Sequence, residues 1–139
     1  MKQRFFAIVI LLAVLITPVG FHTENVCAAN KKANYSATLA KEKNKAGTVY
    51  RVSISGKKLM VEGSLSVKKS NSKKWSTLKY KKRGFKLASN CKFFDAGGAH
   101  AEEHKISKRR FLEIAKDYIC YGLSFQTNKK GQVYKMVVY

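Results

Sequence analysis

The chain has 139 residues, of which 28 are Lys or Arg and 8 are Asp or Glu, so its formal net charge is +20 at pH 7. A chain of this length can bury one modest hydrophobic core and excludes a second one. The charge excess opposes folding through self-repulsion and favours negatively charged partners.

The N-terminal segment has the pattern of a secretory signal peptide. Lys2 and Arg4 precede an unbroken apolar run from Phe5 to Ile16, and the small residues Ala28 and Ala29 follow further on. The run is shorter than the ~20 apolar residues that span a bilayer, so no permanent membrane span is expected. The sequence therefore predicts a signal peptide over residues 1–29, cleavage after Ala29, and a secreted, extracytoplasmic protein.

The next segment, residues 30–47, is polar and rich in lysine. It predicts a flexible basic arm that contributes at most a short strand around Tyr35–Leu39. Residues 48–139 are predicted to form a single small β-barrel domain.

From Thr48 onward, polar and apolar residues alternate, which predicts β-strands. Residues alternate in polarity from Thr48 to Ser55 and again from Leu59 to Val67, around the turn residues Gly56-Lys57. Two such runs joined by a glycine-containing turn indicate a β-hairpin. Gly63 inside the second run predicts a bulge or a sharp bend.

The middle of the chain predicts further short strands separated by polar connections. Strand character is carried by Leu78, Tyr80, Phe85 and Leu87, and a short strand is expected over Cys91–Phe94. The Lys81–Gly84 stretch is interpreted as a basic turn. Asp95 to His104, with its two glycines, is interpreted as a loop.

One helix is predicted over residues 108–120. Ser107 is a favourable N-cap, and the apolar residues that follow recur at helical spacing. The first turn is basic, with Lys108, Arg109 and Arg110 opposing the helix dipole. A closing hairpin is expected from Leu123 to Val138.

About six strands and one helix predict a mainly β (α+β) fold: a small six-stranded, OB-like or half-open antiparallel barrel with the helix before the C-terminal hairpin. Four segments carry a resemblance: residues 55–59 (Ser-Gly-Lys-Lys-Leu), Cys91–Phe94, Ile106-Ser107 and Lys130–Val133. Because of these four segments, the layout of residues 48–139 resembles small OB-like barrel domains of uncharacterised exported bacterial proteins. The resemblance implies a fold and transfers no catalytic residues.

Basic and aromatic residues interleave in a way that predicts a binding surface. The expected contact patch comprises Lys73, Lys74, Trp75, Tyr80, Lys81, Lys82 and Arg83, and a second patch comprises Lys108, Arg109 and Arg110. Cations beside stacking platforms suit charged chains that carry rings. The alternative is that Trp75 and Tyr80 are half-buried strand residues with solvated neighbours.

The predicted function is therefore a non-catalytic binding or surface-associated module without a cofactor. Its expected partner is an anionic extracellular polymer, such as a wall polymer or an acidic glycan, or the cell-envelope surface, with nucleic acid ranked lower. A third reading is a passive envelope protein that has no specific ligand.

A rival hypothesis is a small secreted hydrolase or nuclease. His100-Ala101-Glu102-Glu103-His104 fits the pattern H-x-x-E-H, in which two histidines bind zinc and a glutamate activates water. The segment is expected in a loop rather than on a helix, and no third ligand is fixed by the sequence. No metal is therefore predicted.

Cys91 and Cys120 are the two cysteines that remain after the predicted cleavage, since Cys27 lies in the signal peptide. In an exported chain they predict one disulfide bridge. The bridge would be worth about 3–4 kcal/mol in the chain-entropy model. The alternative is a pair of buried free thiols.

Overall fold

A computed structural model describes residues 32–98, 101–117 and 122–139. The predicted signal peptide lies outside the described residues. The elements are β1 Ala33–Leu39, β2 Thr48–Ser55, β3 Lys58–Gly63, β4 Ser66–Lys69, β5 Ser76–Thr77, β6 Lys81–Asp95, β7 His104–Ile106, α1 Lys108–Asp117, β8 Gly122–Thr127 and β9 Val133–Val138. In these three ranges, no helix has both the length and the apolar character needed to cross a membrane.

Six of these strands close into a barrel in the order β2-β3-β6-β9-β8-β1, because β1 pairs back onto β2. The closing pair is parallel, with Thr38 beside Thr48 and Leu39 beside Val49, and β6 also runs parallel to β9. The other neighbours in the ring are antiparallel. The prediction of a mainly β barrel with one helix before the C-terminal strands is confirmed.

The remaining strands extend the barrel wall. Strand β4 pairs with the N-terminal half of β1, β5 pairs with β4, and β7 pairs with the end of β6. The closing contact comprises two residue pairs, Thr38–Thr48 and Leu39–Val49, and it covers the edge of the sheet at that point.

The core fills the barrel interior. Leu59, Val61, Leu123, Phe125 and Met136 alternate inward from their strands and are at most 1% exposed. Full burial of such side chains stabilises a fold by about 1.5–3 kcal/mol each. This inward alternation explains why the strands β3 and β8 could be predicted from the sequence.

An aromatic cluster occupies one part of the interior. The rings of Tyr35 and Phe125 stack at 4.6 Å between centroids, and Phe85 meets each of them edge-on at 5.2 and 4.9 Å. Offset and edge-on pairs each add about 0.5–1.5 kcal/mol beyond the area that they bury. The cluster joins strands β1, β6 and β8.

The helix α1 packs its apolar face on the barrel. Phe111, Ile114 and Ala115 are buried, and the Phe111 ring lies 5.3 Å from that of Phe93 on β6. The helix begins where predicted, since the Ser107 hydroxyl accepts a hydrogen bond from the Arg110 backbone N–H at 3.1 Å. Residues 118–120 of the predicted helix lie outside the described residues.

Substitution of the N-cap tests this helix start. Ser107→Ala removes the acceptor for the Arg110 N–H and should lower the free energy of unfolding by about 1 kcal/mol. The matched control is Ser107→Asp, which retains a capping oxygen and places a negative charge beside the three basic residues of the first turn. It should be at least as stable as the wild type in urea denaturation. Equal losses in both variants would contradict the capping role.

Two predictions for the fold are corrected. The short strand expected around Tyr35–Leu39 is present, but it is the longer barrel strand Ala33–Leu39 with Ala33, Tyr35 and Leu39 buried, so the barrel begins at Ala33 and not at residue 48. The alternation of β1 is weak in sequence because alanine and tyrosine supply its inward positions. Tertiary pairing with β8 and β4 determines the strand.

The second correction concerns the predicted basic turn over Lys81–Gly84 and the separate short strand over Cys91–Phe94. Both belong to the single strand β6, Lys81–Asp95. The polar start of β6 is held by its register with β3, in which Lys81 faces Gly63 and Lys86 faces Lys58. The local sequence of Lys81–Gly84 suggests a turn because polar and apolar residues do not alternate in it.

Candidate functional site

The predicted patch is divided among different environments. Lys73, Lys74 and Trp75 are exposed in the connection between β4 and β5, and Trp75 is 51% exposed. Lys81 and Lys82 are exposed at the start of β6. Of the residues in the predicted patch, these five have the access that a polymer contact needs.

Arg83 is a correction, because the structure buries it inside the barrel at 9% exposure. Its Nη1 donates to the Gly63 carbonyl at 3.0 Å and its Nη2 donates to the Lys79 carbonyl at 2.6 Å. Burial lowers the pKa of Arg83, while the nearby Tyr35 acts against that shift. Arg83 is therefore a structural cation and not part of the exposed surface.

Tyr80 is half-buried and bridges to the neighbouring strand. Its hydroxyl donates to Glu62 Oε1 at 3.2 Å, and its pKa is raised by partial burial and by that carboxylate. Lys82 faces the same Glu62 in the register of β3 and β6. Glu62 thus accepts a hydrogen bond from Tyr80 and lies opposite Lys82 on the neighbouring strand.

The outer surface of β2, β3 and β6 brings basic residues together. We name it the basic sheet face, and its outward residues are Arg51, Ser53, Ser55, Lys58, Met60, Glu62, Lys82, Gly84 and Lys86. Across the three strands, Arg51, Glu62 and Lys82 are cross-strand neighbours. Four residues further along β6, Lys86 lies opposite Lys58 of β3. Cations therefore stand at both ends of the face with small or apolar residues between them.

The Lys58–Lys86 pair borders a cavity of ≈ 360 Å³ that Lys57, Gly84 and Phe85 also line. A Cβ added at Gly84 would lie 2.9 Å from Lys58 Cε, so the missing side chain leaves the space that Lys58 crosses. Within the described ranges, none of the three lysines forms an ion pair. Like charges directly opposite each other in a sheet destabilise it, and a bound anion would relieve that repulsion.

The second predicted patch is exposed in the first turn of α1, but part of its charge is neutralised. Arg109 Nε lies 3.0 Å from Glu113 Oε1, and Arg110 Nη1 lies 3.6 Å from Glu113 Oε2. Two guanidinium groups thus share one carboxylate. The positive charge that this turn presents to a partner is therefore partly neutralised by Glu113.

Cys91 is a half-buried free thiol, and burial raises its pKa to about 11. At neutral pH it is therefore protonated, which makes it a poor nucleophile. Cys120, its predicted disulfide partner, lies outside the described residues. The structure thus has Cys91 in its reduced form, and the described residues do not test the bridge to Cys120, which stays a prediction for the oxidised protein.

The histidine motif is only partly described. His100 lies outside the described residues, while His104 is exposed in β7 and faces Asp95 in register. Across residues 32–98, 101–117 and 122–139, no group of three or more His, Cys, Asp or Glu residues could hold a metal ion.

Sequence reasoning missed Lys57, Lys58 and Lys86 as candidate binding residues. The turn Gly56-Lys57-Lys58 was a usable signal, since a hairpin end presents both lysines together. Lys86 could not be placed, because only the register of β6 against β3 sets it beside Lys58.

Comparison with known proteins gives no relative: no family model, no curated protein and no solved structure matches this chain. The functional proposal therefore rests on the geometry and charge of the described residues.

Proposed function

We propose that this protein is a secreted, non-catalytic binding module that holds an anionic polymer, a wall polymer or an acidic glycan, on its basic sheet face. The observation that carries the proposal is the Lys58–Lys86 pair beside Lys57, where like charges converge around a cavity without a carboxylate ion-paired to them in the described residues. Such an arrangement is destabilising in the free protein. It becomes favourable when a polyanion supplies the opposite charge.

Exposed residues of the predicted patch extend this surface. Lys82 continues the basic sheet face along β6, and Lys81 precedes it. Lys73, Lys74 and Trp75 offer a separate contact on the β4–β5 connection, where an exposed indole lies between charged residues and a strand. Binding through many exposed cations should weaken steeply as salt rises.

The test is the triple substitution Lys57→Gln, Lys58→Gln, Lys86→Gln, measured by titration with polyphosphate and with polygalacturonate over a salt series. Three exposed ionic contacts of roughly 0.5 kcal/mol each predict about a tenfold loss of affinity for both polymers. The slope of log affinity against log salt should also become shallower, by up to about three.

The matched control removes the same charge elsewhere, with Lys69→Gln, Lys129→Gln and Lys130→Gln at exposed positions. This control lowers the net charge of the protein by the same amount but leaves the basic sheet face intact. Equal affinities of the two triple variants would contradict a localised site and leave only a general effect of net charge. Arg83 is kept in both variants because it is buried.

A further inference from the structure

A second cavity opens where β6 and β9 run side by side. It has a volume of ≈ 300 Å³ and is lined by Asn90, Lys92, Phe94, Tyr134 and Lys135. This volume is at the lower end of the ~300–1,000 Å³ that is usual for ligand pockets, so it suits a single ring-sized group. The basic sheet face does not include any of these residues.

An aromatic ring tethered through its hydroxyl lines this cavity. The Tyr134 hydroxyl donates to Gln126 Oε1 at 2.7 Å, and the side chain is 37% exposed. An exposed large aromatic residue that is tethered by its polar end offers a flat apolar surface with little freedom to lose on binding. Such a surface suits the C–H face of a sugar ring.

The charges around the cavity are unequal. Lys135 Nζ lies 2.6 Å from Glu103 Oε2 and 5.0 Å from the centroid of the Phe94 ring, so its charge is already paired. Lys92 faces Lys135 in register, is exposed, and has no ion pair within the described part of the chain. One ammonium group therefore remains to meet an anion.

The two cavities lie along the same strand. Lys86 borders the first and Asn90 borders the second, and four residues of extended strand span about 13 Å. The register of β6 against β9 shifts between Leu87 and Lys92, so the strand is irregular here and about 13 Å is an upper bound. A linear polymer on β6 can thus reach both places at once.

We propose that the second cavity binds one uronate-type acidic sugar residue of a polysaccharide. The sugar ring stacks on Tyr134, its carboxylate meets the Lys92 ammonium, and the Asn90 amide exchanges hydrogen bonds with a ring hydroxyl. This inference rests on the proposed function and deepens it, since it selects acidic glycans among anionic polymers.

The experiment compares polygalacturonate, a polymer of uronate rings, with polyphosphate, a polyanion without rings. Tyr134→Ala should weaken the binding of polygalacturonate about tenfold and leave the binding of polyphosphate unchanged. The matched control Tyr134→Phe retains the ring and should keep most of the affinity. Lys92→Gln removes a cation that either polyanion can meet and should weaken the binding of both polymers. Asn90→Ala removes the amide that meets a ring hydroxyl, so it should weaken polygalacturonate alone, and this exposed substitution carries the test if Tyr134→Ala does not fold.

The outcomes separate the two proposals. If the wild-type protein binds both polymers and Tyr134→Ala and Asn90→Ala each affect them equally or not at all, the sugar site is overturned and the proposed function stands. If the wild-type protein binds neither polymer at low salt, the proposed function itself fails. Selective loss on polygalacturonate supports the sugar site.

Discussion

Gly63→Ala should destabilise the barrel by roughly 3–5 kcal/mol, since Gly63 ends β3 where the backbone of β2 passes very close. A Cβ at this position would lie 2.5 Å from the Thr48 carbonyl oxygen and 2.6 Å from Val49 Cα, and its φ is +156°. Both obstacles are backbone atoms that no side-chain rotation can remove. The register shifts beside Gly63, but the extra residue lies on β2 between Val49 and Arg51 and not on β3, where the sequence predicted the bulge or bend.

The matched control for this variant is Gly56→Ala in the β2–β3 turn. Gly56 has φ +56°, but a Cβ there would meet nothing within 4 Å. Gly56→Ala should therefore cost only the penalty of placing a Cβ-bearing residue at a positive φ, about 1–2 kcal/mol. Guanidinium denaturation of both variants measures the difference, and equal losses would show that the close approach of β2 to Gly63 does not decide stability.

Arg83→Met should lower the free energy of unfolding by roughly 3 kcal/mol. The substitution keeps much of the apolar stem but removes the donors that reach the carbonyl oxygens of Gly63, Lys79 and Lys81. The hydrogen bond to Gly63 is buried and the other two are partly buried, and a buried acceptor left without a donor costs about 1–3 kcal/mol. Two gains offset part of this cost. Methionine places no charge in the barrel, and the substitution removes the Arg83 Nε, which has no hydrogen-bond partner.

Lys82→Met is the control for Arg83→Met, because it changes the neighbouring residue on the outer face of the same strand. Exposed substitutions of this kind usually change stability by less than about 0.5 kcal/mol. Urea denaturation should therefore separate the two variants clearly. If both unfold at the same urea concentration, the hydrogen bonds of Arg83 do not hold the barrel together.

Arg83 also links the core to the proposed binding surface. It ties the start of β6 to the end of β3, the two strands that carry Lys82, Lys86 and Lys58. Loosening this junction should disorder the basic sheet face, so Arg83→Met is expected to weaken binding of polyanions as a secondary effect. A binding defect at Arg83 alone would therefore not identify it as a contact residue.

Local signals in the sequence were sufficient for several elements. The alternation on either side of Gly56 predicted the β2–β3 hairpin, and Ser107 before a helical apolar period predicted the start of α1. The turn after Thr127 predicted the last hairpin. Each of these features is encoded by residues close together in the chain, so neighbouring sequence is enough to specify it.

Features that depend on distant pairing were missed. The start of β6 has the polar sequence of a turn, and it is a strand only because β3 and the buried Arg83 hold it. Patterns that equate buried positions with apolar residues cannot recognise an inward arginine whose Nη atoms donate to carbonyl groups. The predicted site was wrong at Arg83 for this reason.

The sequence by itself determined a small, strongly basic, mainly β chain with one capped helix, since charge, alternation and capping are local properties. Only the tertiary structure decided which cations share a surface. Lys58 and Lys86 are far apart along the chain, and the antiparallel register of β3 and β6 places them opposite each other. A register depends on which strands pair and how a barrel closes, and those choices are made by the packing of the whole core.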